Sequence, residues 1–218
     1  MKIAFLGDSI TYGYGLCDKK DRYTTLVANA LGAEEINLGI TGTLVARAGM
    51  NREDAKSFLD RLPLIKGADV AVIFGGTNDY FWSDRPIFPP EGDTGEDYFY
   101  TAADTICRAC RERYGDIRVG IVTPYPHHGV GNYKDGPSHT ASSEHDTGEK
   151  NFNGHVLEDY VKTWVALGAK YDIPVLNLFE DNTFLWQRHT SDGCHPNPEG
   201  HRVLAESILT FLRQKLAL

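Results

Sequence analysis

The sequence predicts a three-layer α/β domain with about five parallel strands, and three observations predict it. Short apolar runs recur along the chain, the segments between them repeat apolar residues every three or four positions, and glycine-containing turns close the first and third runs. The first run, Lys2 to Leu6, ends at Gly7, and the second covers Ile36 to Leu38. The third, Ala68 to Phe74, is apolar almost throughout, as a strand buried on both faces has to be, and ends at Gly75-Gly76. Ile117 to Thr123 and Ile173 to Phe179 complete the five.

Helical spacing fills the gaps. Tyr23, Leu26, Val27, Ala30 and Leu31 form one face between the first two strands, and Phe152, Val156, Tyr160, Val161, Trp164 and Val165 form another before the fifth. The last helix has Asn197 as N-cap and Pro198 at its first position, with Val203, Leu204, Ile208, Leu212 and Leu216 along one face. Two stretches, Tyr80 to Tyr98 and Pro124 to Gly148, are rich in Gly, Pro, Asp, His and Ser and read as long loops. Each follows a strand, at the carboxyl edge where parallel sheets bind ligands.

A chain of 218 residues without internal repeats or linkers is expected to be one domain spanning residues 1–218. Its 41% hydrophobic and 24% charged residues match soluble globular chains, not disordered or fibrous ones. The net charge of −8 argues against a nucleic-acid partner, which needs a concentrated basic face. Runs such as Val70 to Phe74 fall far short of the roughly 18 apolar residues of a membrane span, and Asp8 interrupts the N-terminal run too early for a secretory leader. A cytoplasmic protein is expected, and nothing in the sequence fixes its oligomeric state. Cys17, Cys107, Cys110 and Cys194 are expected to be free thiols, the C-x-x-C pair lying in a helix with no second pair to make a zinc site. His127, His128, His139 and His145 lack metal-ligand spacing and read as loop residues, so no metal is expected.

The residues that carry chemistry sit at strand ends. Ser9, in Gly7-Asp8-Ser9-Ile10-Thr11, directly follows the first strand and opens a helix. Alone it reads as a helix cap. Asp192-Gly193-Cys194-His195-Pro196, near the other end of the chain, puts a carboxylate and an imidazole three residues apart, close enough to meet on one turn. A serine hydroxyl becomes a useful nucleophile only when a base takes its proton and a third group orients that base. An oxyanion further needs rigid donors, and Gly39 after the second strand and Asn78 after the third are candidates.

Together these four blocks resemble the SGNH hydrolase superfamily, also called GDSL esterases and lipases, over essentially the whole chain. Ser9, Gly39, Asn78 and His195 match the four residues that give the family its initials, and Asp192 matches the carboxylate preceding the histidine. The resemblance implies a flavodoxin-like α/β/α fold and a serine esterase with Ser9, His195 and Asp192 as its triad. It implies an oxyanion hole made by the backbone N–H groups of Ser9 and Gly39 and the amide of Asn78, with no metal or organic cofactor. Activity is then expected to rise as the imidazole becomes neutral. The substrate is expected to be a small-molecule or oligosaccharide ester, foremost a short-chain O-acetyl group on carbohydrate, with Asp8, Tyr80 and Trp82 among its contacts. Phe81 and Phe88 belong to the same aromatic stretch. A lysophospholipase or thioesterase activity is the alternative. An α/β-hydrolase elbow needs glycine where Thr11 stands. A nucleotide- or phosphate-binding module fits less well, because Gly13-Tyr14-Gly15-Leu16-Cys17-Asp18 lacks the third glycine of the dinucleotide fingerprint and Asp192 and His195 would go unexplained.

Overall fold

Five parallel strands line up in the order β2-β1-β3-β4-β5 in the computed structural model, which describes residues 1–47, 56–127 and 150–218. They are β1 (Lys2–Gly7), β2 (Glu34–Gly39), β3 (Val70–Phe74), β4 (Arg118–Val122) and β5 (Val175–Leu176). The helices among the described residues are α1 (Ser9–Tyr12), α2 (Tyr23–Ala30), α3 (Phe58–Arg61), α4 (Thr77–Trp82), α5 (Phe99–Glu112), α6 (Leu157–Tyr171), α7 (Trp186–His189) and α8 (Pro198–Lys215). Strand alternation sorts the core into two layers. Ala4, Leu6, Ala71, Ile73 and Ile121 face the cluster built with α5 and α6, while Ile3, Phe5, Val70, Val72 and Val122 face the one built with α2 and α8.

The helices form because their apolar positions share a face. On α5, Phe99, Ala102, Ala103, Ile106, Cys107 and Cys110 are all buried, so the C-x-x-C pair belongs to the core. Burial pushes the Cys110 thiol up to about 12 and Cys107 higher still, which keeps both protonated. On α8, Asn197 Oδ1 accepts from Gly200 N at 2.9 Å, a cap worth about 1 kcal/mol, and Leu204, Ile208 and Leu212 are buried below it.

Three expectations need correction. The fifth strand is only Val175–Leu176, because Pro174 precedes it and the Asn177 side chain closes a turn by accepting from Phe179 N at 3.1 Å. The helix expected from Phe152 begins at Leu157, where Asp159 Oδ2 accepts from Val156 N at 3.0 Å; Phe152 lies outside it and is 72% exposed, and Val165 faces outward. Tyr80 to Trp82, expected to start a loop, are the last residues of α4. Of the second long loop, Pro124 to His127 are described; His128, His139 and His145 lie outside the described residues. No helix among the described residues is long and apolar enough to cross a membrane.

Candidate active site

The strand order reverses between β1 and β3, and the loops leaving their carboxyl ends diverge there to open a crevice. Ser9 leaves β1 and Asn78 follows β3, so this topology brings both to one place.

Ser9 begins α1. Asp8 caps that helix through Oδ1, which accepts from Ile10 N at 2.9 Å, and Gly13 ends it in the left-handed region. The Ser9 side chain is nearly buried, and its Oγ lies 3.0 Å from His195 Nε2. His195 Nδ1 lies 2.7 Å from Asp192 Oδ2, so a proton on Nδ1 leaves Nε2 as the acceptor facing the serine hydroxyl. Asp192 Oδ1 accepts from the backbone N–H groups of Cys194 and His195 at 3.0 and 2.7 Å. Burial pushes Asp192 up, but the His195 ring and these backbone donors outweigh it and hold the carboxyl at about 2, so it is ionised at neutral pH. The loop itself is tied down by Tyr125, whose buried hydroxyl donates to Cys194 O at 2.7 Å, and by Gly193 N donating to Thr190 Oγ1 at 3.0 Å.

The candidate anion donors are differently prepared. Asn78 sits in the first turn of α4, and its Nδ2 donates one proton to Thr43 O at 3.0 Å, leaving the second. Gly76, just ahead of α4, has φ +118°, a conformation that favours glycine and turns the chain into the helix. Gly39 has a steric reason to be glycine, since a Cβ there would lie 2.3 Å from Tyr12 N and push α1 off β2. Its N–H already donates to Asn37 Oδ1 at 2.9 Å. A carbonyl oxygen reaching that N–H has to share it with Asn37, which the sequence reading did not anticipate although N-x-G is the spacing of an Asx turn.

The expected substrate contacts are placed less openly. Tyr80 is 4% exposed, turned inward on α4 against Phe81 and Tyr160 at ring distances of 5.1 and 6.1 Å. Trp82 is half-buried at the edge of the same core, and Phe88 is exposed against Tyr100. Asp8 is buried as the helix cap. Tyr14, which the sequence reading passed over, packs its ring 4.5 Å from the His195 ring and remains 47% exposed. The signal for it is the Gly13-Tyr14-Gly15 turn, whose two glycines both have positive φ.

Asp79, next to Asn78, is fully buried and accepts from Val45 N at 2.9 Å and Ala46 N at 3.1 Å, pinning the loop that contains Thr43 to α4. Burial pushes Asp79 up to about 7, the charge on Asp8 adding to the effect, and burial pushes Asp8 itself up to about 6. A carboxyl raised in this way favours the fold most at pH below its unfolded value of about 4, and that contribution is lost as pH rises through the folded value. The difference in Tm between wild type and Asp79→Asn is therefore expected to fall as pH rises from about 4 to about 7, then level off. Thermal unfolding across that window checks it, and a difference that grows with pH contradicts it.

The fold recurs in solved structures. A protein from Lactobacillus plantarum is 26% identical, with a TM-score of 0.77 over 98% of this chain and 97% of that one. A carbohydrate acetylesterase family member from Sinorhizobium meliloti is 20% identical, with a TM-score of 0.69 over all of both chains, and shares the fold. No curated protein matches the chain. The model of the GDSL-like lipase/acylhydrolase family matches residues 5–203, most of the chain, and the protein belongs to that family of ester hydrolases.

Proposed function

We propose that the protein hydrolyses short-chain O-acyl esters, acetyl groups on carbohydrate foremost, with Ser9 as nucleophile. The observation that supports this best is the chain of contacts from Ser9 Oγ to His195 Nε2 at 3.0 Å and from His195 Nδ1 to Asp192 Oδ2 at 2.7 Å. His195 takes the Ser9 proton as Oγ bonds to the ester carbonyl carbon, and the imidazolium that forms is held by the ionised Asp192. The negative oxygen of the tetrahedral intermediate is met by the Ser9 backbone N–H, the second Nδ2 proton of Asn78 and the Gly39 N–H shared with Asn37, each donor worth roughly 3 kcal/mol. Collapse expels the alcohol, which takes the proton from His195. Water then gives a proton to the same nitrogen as it attacks the acyl carbon, and collapse breaks the bond to Ser9 Oγ, which takes that proton back from His195 as the acid leaves. The nucleophile and the base are 186 residues apart in sequence, so the chain acts as one catalytic unit.

For the alcohol, the exposed ring of Tyr14 beside His195 offers an aromatic face of the kind that packs against sugar rings, and the Asp192 side chain is also partly open to solvent. Free thiols at Cys17, Cys107, Cys110 and Cys194 fit a reducing, cytoplasmic compartment. The test is hydrolysis of acetylated xylo-oligosaccharides beside p-nitrophenyl acetate, butyrate and octanoate. Acetate release from the oligosaccharide is expected to have the highest kcat/KM, by about tenfold or more over octanoate. A preference for octanoate assigns the site to lipid esters instead.

A further inference from the structure

Arg61 ends α3 and is 2% exposed, and the reaction described above makes no use of it. Its Nε donates to Lys56 O at 2.9 Å and Ser57 O at 3.3 Å. Nη1 donates to Gly7 O at 3.1 Å and to Leu38 O, and Nη2 donates to Thr43 Oγ1 at 2.8 Å. Burial pushes its pKa down to about 10 against the opposing pull of Asp8 and Asp60, so the guanidinium is still charged at neutral pH. Burying a cation is unfavourable unless its donors are well placed, and here the fork reaches three separate stretches of chain, the ends of β1 and β2 through their carbonyls and the Thr43 loop through a hydroxyl.

Two of those segments carry a candidate oxyanion donor, and the third anchors the remaining one, Asn78 on α4. Gly7 O closes β1 immediately before the Asp8-Ser9 turn. The Leu38 carbonyl belongs to the same peptide group as the Gly39 N–H; a cation on that oxygen fixes the peptide plane and draws density from nitrogen, which strengthens the N–H as a donor. Thr43 takes Arg61 on its hydroxyl, gives its own hydroxyl proton to Ile40 O at 2.8 Å, and receives Asn78 Nδ2 on its carbonyl.

We propose that Arg61 is a positioning residue for the oxyanion hole, a buried guanidinium that holds the segments bearing Ser9 and Gly39 and the Thr43 loop that anchors Asn78 in register, and polarises the Gly39 peptide toward developing negative charge. This rests on the reading of those three residues as the donors.

The experiment compares Arg61→Lys, Arg61→Met, Thr43→Val and the Arg61→Lys/Thr43→Val double variant with wild type and Ser9→Ala on p-nitrophenyl acetate. Circular dichroism identifies the variants that are folded at the assay temperature. Lysine keeps the charge but cannot span three acceptors, so folded Arg61→Lys is expected to lose about 10- to 100-fold in kcat with KM within about twofold. The acid limb of its pH–rate profile is expected to stay in place, because the His195–Asp192 pair is untouched. Thr43→Val is expected to lose several-fold in kcat and to combine non-additively with Arg61→Lys. Should Arg61→Met fail to fold, the lysine and valine variants still decide. Full kcat in folded Arg61→Lys, a loss confined to KM, or a shifted acid limb overturns the positioning role. Ser9→Ala separates the two levels. If it is inactive while Arg61→Lys is fully active, only the role of Arg61 falls; if it stays active, the catalytic reading beneath it falls.

Discussion

Ser9→Ala is expected to lower kcat for p-nitrophenyl acetate by about 10⁴-fold or more, because no covalent acyl intermediate can form without its Oγ. The fold is expected to survive. The hydroxyl's contact with His195 is worth about 1 kcal/mol at most, and the helix it opens is capped by Asp8, which the change leaves alone. Matched thermal melts and steady-state assays read the two effects separately. Retention of a tenth or more of the wild-type rate would remove Ser9 from the mechanism.

Asn78→Ala is expected to lower kcat by about 10² to 10³ with KM nearly unchanged. The split follows from geometry. One Nδ2 proton is fixed on Thr43 O, so the other is held rigidly and gains most as the substrate oxygen becomes charged. Of the three candidate donors Asn78 is also the one whose side chain can be deleted without moving the strand–helix contact that Gly39 makes with α1. A change confined to KM would reassign Asn78 to holding the ground-state ester.

The fold was legible where one physical cause decides the outcome. β1 and β3 are apolar on both faces, β1 ends in Gly7 and β3 is followed by Gly75-Gly76, and α8 has its cap, its proline and its apolar face in order. Boundaries were less legible where tertiary contacts decide. Phe152 matches the helical period, yet Asp159 caps the helix at Val156, and Tyr80, which opens a stretch read as a loop, belongs to α4 and packs inward on Tyr160. At the candidate site, Ser9, Asn78, Asp192 and His195 stand out because their residue types, after the first and third strands and three residues apart near the other end of the chain, are those nucleophilic catalysis calls for. Arg61 gave no signal: an arginine closing a one-turn helix reads as a surface residue, and only the meeting of β1, β2 and the Thr43 loop above it shows what it holds. Tyr14 had a signal in its two flanking glycines, but its partner His195 lies at the other end of the chain, so only the fold shows what its ring meets.

The central claim is that Ser9 is an activated nucleophile, and its most direct test is labelling with diethyl p-nitrophenyl phosphate, which transfers its diethylphosphoryl group to such a serine and releases p-nitrophenol. Peptide mapping by mass spectrometry is expected to place one diethylphosphoryl group per chain on Ser9, in step with the loss of esterase activity, and His195→Ala is expected to slow the labelling by about 10³-fold or more. Inactivation with the label on another residue, or full activity in a chain labelled at Ser9, would contradict it.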